Sequence, residues 1–156
     1  MPHHHERRKL PYSPQQMYDL VADVASYPRF LPWTAAARVR SVEDRGDHAV
    51  MLADLVISFK VFRETFGSRV VLRPEDRVIE TSYIDGPFRH MDSTWRFHEV
   101  PGEPQCCEIE FEVDFEFKSR LLQGAANMFF QDAMQRVVRA FERRAAELHG
   151  AGRGAA

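Results

Sequence analysis

Apolar and charged residues alternate without interruption over residues 108–117, EIEFEVDFEF. Ile109, Phe111, Val113, Phe115 and Phe117 hold one parity, and Glu108, Glu110, Glu112, Asp114 and Glu116 hold the other. A period of two is that of a β-strand, so the apolar side chains share one face and the carboxylates the other. A row of like charges on a wet face calls for cations across the strand. Arg63, Arg69 and Arg96 have the matching parity, opposite to Phe62, Phe66, Trp95 and Phe97 on their own segments. The acids therefore read as surface electrostatics of a sheet rather than as a general acid–base pair.

The strand pattern extends from about Ala35 to Lys118, broken by turn signals at Asp44–Gly46, near Ser58–Lys60, at Arg73–Asp76, at Asp85–Pro87 and at Pro101–Pro104. Connections this short join antiparallel neighbours, because a parallel pair needs a crossover of a dozen or more residues. The expected sheet is a meander. The segment ERRKL at 6–10 has the character of an additional edge strand.

Two helices flank this region. Ser13-Pro14-Gln15-Gln16 carries a serine N-cap, a proline at the first helical position and a glutamine placed to complete a capping box. Met17, Leu20, Val21 and Val24 follow as one apolar stripe, on a helix expected to end near Ser26. The second helix starts at an N-cap, Ser119, and runs to about His149, with Leu122, Phe129, Ala133, Met134, Val137, Phe141 and Leu148 expected to face inward. At about 1.5 Å per residue it is long enough to lie across the whole sheet. Between the first helix and the sheet lies VADVASYPRFLPW, residues 21–33, whose two prolines forbid regular structure while Tyr27, Phe30, Leu31 and Trp33 supply four large apolar side chains.

A sheet with one aromatic face must cover it, and the long helix is the large cover available. The space between them is either packed solid or left hollow; the inward set is rich in phenylalanine, with Met91 and Met134 as adaptable fillers, and composition alone favours a packed core over a cavity. By the same token the 27–33 segment is either the mouth of a ligand cavity or a plug at the end of the core.

Composition narrows the function classes. At 156 residues the chain forms one domain, expected over 1–149, with residues 150–156 as a disordered tail. Charged residues make up 28% and nearly cancel, giving −2, so no global field favours DNA or RNA. The only cysteines, Cys106 and Cys107, are adjacent in a strand and frame no disulfide. No secretory signal or spanning run of about 18 apolar residues is present. The expectation is a bacterial cytoplasmic protein, compatible with peripheral contact at the inner membrane. His3–His5 run directly into the edge strand, and the other histidines are scattered without metal-ligand spacing. No metal and no cofactor are expected.

Four stretches in fixed order, VADVASYPRFLPW, FKVFRETFGSRV at 59–70, DGPFRHMDSTWRF at 85–97 and FEFKSRLL at 115–122, resemble the motifs of the coenzyme Q-binding proteins, of the polyketide cyclase/START-like superfamily, close to the bacterial ribosome association toxin. The resemblance spans about residues 12–148. It implies an α+β helix-grip fold, a curved seven-stranded antiparallel sheet wrapped around a long C-terminal helix, with a hydrophobic cavity between. It further implies that Tyr27, Phe30, Leu31, Pro32 and Trp33 form a wall or lid at the mouth. Phe59, Phe62, Phe66, Phe88, Met91, Trp95, Phe115, Leu122, Phe129 and Phe130 would line the cavity. The implied ligand is ubiquinone or another isoprenoid lipid, and the implied role is its delivery, without catalysis, in support of respiration. Lys60, Glu64 and Arg89 share parity with inward residues and are candidates for hydrogen bonds to quinone carbonyls, with a rim salt bridge as the alternative. Glu64, with Arg89, is the one inward carboxylate on which a cyclase-like enzyme would have to rely. An interaction module for the large ribosomal subunit is the further alternative, suggested by the toxin relatives and by Arg136, Arg139, Arg143 and Arg144 on the last helix.

Overall fold

The alternating run becomes β7 (Glu103–Phe117), and its five even-numbered acids from Glu108 to Glu116 lie on the outer face of the sheet. The computed structural model describes residues 3–59 and 62–150, apart from the side chains of Phe59, Phe62, Phe129 and Phe130. Along the chain come β1 (His3–Leu10), α1 (Pro14–Ala22), a 3₁₀ segment (Val24–Arg29), β2 (Thr34–Asp44), β3 (Ala49–Phe59), β4 (Phe62–Arg73), β5 (Val78–Asp85), β6 (Phe88–Val100), β7 and α2 (Arg120–His149). The strands form one antiparallel sheet in the order β1-β7-β6-β5-β4-β3-β2, which is the expected meander with β1 added at the β7 edge. The expected tail falls at residues 151–156 outside the described residues.

Both helix starts are built as their sequences dictate. The Ser13 hydroxyl accepts from the Gln16 amide at 3.1 Å while Gln16 returns a bond to the Ser13 amide at 2.9 Å. The Ser119 hydroxyl accepts from the Leu122 amide at 3.2 Å, and α2 ends on Gly150 in the left-handed conformation. Two expectations need correction. The α-helix stops at Ala22 rather than Ser26, because Pro28 has no amide to donate and its ring clashes with an α-helical carbonyl four residues back. Leu148 is 53% exposed, not inward; at that end the helix turns Ala145 to the core and His149 towards Tyr12 and Gln16 of the α1 N-terminus.

The cations that answer the β7 acids come from its neighbours in the sheet. Arg7 lies 2.8 Å from Glu108, His3 3.3 Å and Arg96 4.0 Å from Glu112, and Lys9 2.8 Å from Glu103. Arg96 is thus placed as expected. Arg63 and Arg69 are not: they sit on β4, and β5 and β6 lie between it and β7. The histidines at the start of the chain take their place, as residues of β1.

Glu110 is the centre of this ladder. The Nε2 atoms of His98 and His5 lie 2.8 and 2.7 Å from its two oxygens, and these hydrogen bonds hold its carboxyl down at about 2. A carboxylate whose folded pKa is depressed contributes stability that is fully present above its unfolded value of about 4.3 and disappears as pH falls towards the folded one. Urea unfolding of the wild type is accordingly expected to weaken between about pH 4.3 and 2 more steeply than that of Glu110→Gln. Parallel pH profiles for the two proteins would show that the ladder contributes nothing.

Candidate functional site

The topology gives the grip a closed end and an open one. At the closed end α1 lies across β5, β6 and β7, and the C-terminal half of α2 packs on it. Among the described side chains, the fully or nearly buried α2 residues, Val138, Ala140, Phe141 and Ala145, belong to that half. At the other end meet the start of β2, the β3–β4 hairpin, the β5–β6 turn and the first turns of α2. There the outer face of α2 carries Leu121 and Met128, 85% and 78% exposed, while Leu122, Ala126 and Met134 on its inner side are half-buried. Among the described residues α2 comes nearest to α1, β7 and β1.

The 27–33 stretch splits between these two environments. The Tyr27 and Phe30 rings meet Phe141 edge-on at 5.4 and 5.3 Å, and Trp95 reaches the same ring at 5.1 Å. The Tyr27 hydroxyl donates to the Val21 carbonyl, and burial pushes its pKa up, so it stays a protonated anchor. The Arg144 guanidinium lies over the Phe30 ring at 5.6 Å. Tyr27 and Phe30 are therefore a side wall that joins the β2 edge to α2. Leu31, Pro32 and Trp33 are half-buried and lead to the open end. Trp33 has a φ of 61°, a conformation that a bulky residue adopts only when its surroundings impose it, and its carbonyl accepts from the Ser58 amide at 2.8 Å. That bond ties the rim of the mouth to the β3–β4 hairpin.

A second aromatic group centres on Phe88. Phe66 and Phe115 meet its ring edge-on at 5.3 and 5.6 Å, and Phe117 stacks on it at 4.8 Å. The β5–β6 turn that delivers Phe88 needs glycine at 86, where φ is +136° and a Cβ would fall 2.7 Å from that of Phe66. Between the two aromatic groups the inner face carries smaller or flexible side chains, Ala53, Leu55, Ser68, Val70, Thr81, Met91 and Ser93, under Met134 and Val137 of α2. Leu55, Met91, Phe88, Phe117, Leu122 and Met134 point inward yet remain only half-buried. Leu55, Met91, Phe88, Phe117 and Met134 pack against the core cluster and still keep part of their surface accessible.

The expected lining residues are thus brought together in part. Phe66, Phe88, Met91, Trp95 and Phe115 share the inner face, Trp95 at its closed end, and Leu122 stands over the open end. Phe59, Lys60, Phe62, Phe129 and Phe130 lie outside the described residues or side chains. Glu64 pairs with Ile57 and so has inner-face register, at the exposed end of the hairpin. Arg89 departs from its expected parity. A β-bulge between Phe88 and His90 lets Phe88 and Met91 both face inward and turns Arg89 out, 3.9 Å from the outer carboxylate of Glu116.

Chemically the inner face is poor in reactive groups. Burial pushes the Cys107 thiol up to about 12, which leaves it inert at neutral pH. No group of three or more histidine, cysteine or acidic residues with metal-binding geometry occurs among the described residues, and no described helix is long and apolar enough to cross a membrane. What sequence reading missed lies along β1, whose inner side carries His4, Glu6 and Arg8. His4, 4% exposed, is 2.6 Å from Gln131 of α2, and Arg8 is 2.9 Å from Glu142. Residues 3–9 are polar throughout, so no alternation marked the inner side of β1; only Leu10, in register with His4, Glu6 and Arg8, pointed to it.

A family model described as polyketide cyclase / dehydrase and lipid transport matches residues 10–142. The ribosome association toxin RatA of Rickettsia prowazekii is 37% identical over 142 residues, 89% of this chain and 92% of that protein. The mitochondrial coenzyme Q-binding protein COQ10 homolog B of Xenopus laevis is 34% identical over 146 residues, 93% of this chain but 58% of that longer protein. Among solved structures, the 18 kDa protein CC1736 from Caulobacter crescentus superposes with a TM-score of 0.79 at 33% identity, covering 96% of this chain and 99% of that one. The Zhui aromatase/cyclase from Streptomyces sp. R1128 superposes at 0.78 over 97% and 98% of the two chains; at 17% identity it speaks for the fold alone.

Proposed function

This chain belongs to the polyketide cyclase / dehydrase and lipid transport family and has its START-like fold, and from that premise we propose that it is a non-catalytic carrier of ubiquinone or a related isoprenoid lipid. The observation that carries this reading is the half-accessible apolar inner face between the sheet and the N-terminal half of α2. A polyprenyl chain is insoluble, and burying it returns roughly 25 cal/mol per Å², so a gap lined by Leu55, Phe88, Met91, Phe117 and Met134 binds it without any catalytic group. The similarity to a coenzyme Q-binding protein favours a quinone over other lipids. Delivery to respiratory enzymes, with transient contact at the inner membrane, is the role this ligand suggests.

The test is organic extraction of protein purified from a ubiquinone-producing bacterium, with mass spectrometry of the extract. Quinone is expected in the wild type and is expected to be lost from Trp33→Asp. Aspartate tolerates positive φ better than most residues, so the variant changes the rim without adding backbone strain. A lipid-free extract from folded protein would sink the proposal.

A second reading is a module that associates with the large ribosomal subunit, favoured by the similarity to the Rickettsia toxin. On α2, Arg136 is engaged by Asp132 at 3.0 Å and Arg144 by Glu147 at 3.0 Å, while Arg139 and Arg143 are exposed. Cosedimentation with large subunits across a salt series separates this reading from the first, since phosphate contacts weaken steeply with salt.

A further inference from the structure

Across the middle of the inner face, four hydroxyl side chains share neighbouring register positions in an otherwise apolar field. Thr81 of β5 pairs directly with Ser93 of β6, and Tyr83, two residues on, pairs with Ser68 of β4. Directly opposed residues of an antiparallel pair share a face, and Thr81 and Ser93 have the register of Ile79 and Trp95, which are buried in the core. Ser68 is fully buried and donates to the Ala53 carbonyl at 3.3 Å, which makes it the floor of the group. The Tyr83 hydroxyl accepts from the Phe88 amide at 3.2 Å and keeps its own proton to give. Among the described residues the hydroxyls of Thr81 and Ser93 make no side-chain hydrogen bond, and both residues are half-buried.

These half-buried hydroxyls are free to bond water, and a ligand that reaches them exchanges that water for its own oxygens. The cations of the same strands cannot be that ligand's counter-charge. Arg69 and Arg96 have outer-face register, and Arg73 is held 2.8 Å from Glu80. The site therefore suits a neutral group bearing hydrogen-bond-accepting oxygens, not a carboxylate or a phosphate. Aromatic rings bound it on both sides, Trp95 towards the closed end and Phe88 towards the mouth.

We propose that Thr81, Ser93 and Tyr83 form the head-group subsite of the cavity, donating to the carbonyl oxygens of a quinone-type ring whose apolar tail runs out past Phe88 and Leu122. This rests on the lipid-carrier reading above and adds to it where the ring sits and what selects it. Each hydroxyl bond is expected to contribute about a two- to tenfold gain in affinity. A ring of the same shape without oxygens would gain nothing from them.

The experiment measures displacement of a fluorescent lipid analogue by two probes: a decyl-substituted dimethoxybenzoquinone and decylbenzene, which has the tail without the oxygens. Thr81→Val is isosteric and suits a strand, and Ser93→Ala removes one atom, so both leave the sheet intact. Each is expected to weaken the quinone about two- to tenfold and leave decylbenzene unchanged, with Thr81→Ser behaving as the wild type. If the variants bind both probes as the wild type does, the subsite is wrong and the carrier reading stands. Were the wild type to bind neither probe, both would fall together.

Discussion

Phe141→Ala is expected to lower the unfolding free energy by about 3–5 kcal/mol, the largest effect of any single truncation in this chain. Phe141 is 2% exposed and is touched edge-on by three rings from two parts of the fold: Tyr27 and Phe30 of the 27–33 segment, and Trp95 of β6. Removing it leaves a cavity that those rings cannot collapse into, because Tyr27 is anchored on the Val21 carbonyl and Trp95 is stacked on Phe111 at 4.2 Å. At about 2 kcal/mol per M, the urea midpoint should fall by roughly 2 M. The control is Met128→Ala on the same helix, expected to stay within about 0.5 kcal/mol because that side chain is 78% exposed. Similar losses at both positions would mean that the ring cluster around Phe141 contributes nothing beyond a surface side chain.

That contrast between the two halves of α2 was not legible in the sequence, although much else was. Strict alternation fixed the faces of β7, and the Ser13 box and Ser119 cap placed both helix starts, because these signals are local and admit one geometry. The apolar stripe of α2 repeats from Leu122 to Leu148 with little change, whereas burial depends on what lies opposite. Among the described side chains of α2, the fully buried ones fall within Val138–Ala145, and His149 beyond them reaches α1. The 27–33 segment posed the same difficulty. Its composition allowed either a plug or a mouth, and the fold uses its first half as wall and its second as rim. Arg89 was misassigned because a one-residue bulge reverses parity and leaves no mark in an alternating pattern. The hydroxyls of Thr81 and Ser93 had readable inward parity, but polar residues in strands are ordinarily assigned to the wet face, and nothing in the sequence says that the inner face is hollow.

Whether it is hollow is what Met91→Trp decides. Met91 is inward and half-buried on β6, opposite Phe115 and two residues from Ser93, so an indole there points into the gap. In a solidly packed core the added atoms would force neighbours off their rotamers and cost about 1–3 kcal/mol. In a hollow one they enter free space, and the buried indole offsets its own ordering. The expected result is stability within about 1 kcal/mol of the wild type, together with a loss of quinone affinity of at least about a hundredfold. The second figure follows from displacement: an indole occupies the volume of several tail carbons, each worth about 0.8 kcal/mol when buried. A variant that is destabilised and still binds the decyl quinone would place the lipid elsewhere. A variant that is stable and no longer binds would locate both the gap and its occupant between Phe88 and Trp95, which is where the sheet, read strand by strand, has the least side chain to fill it.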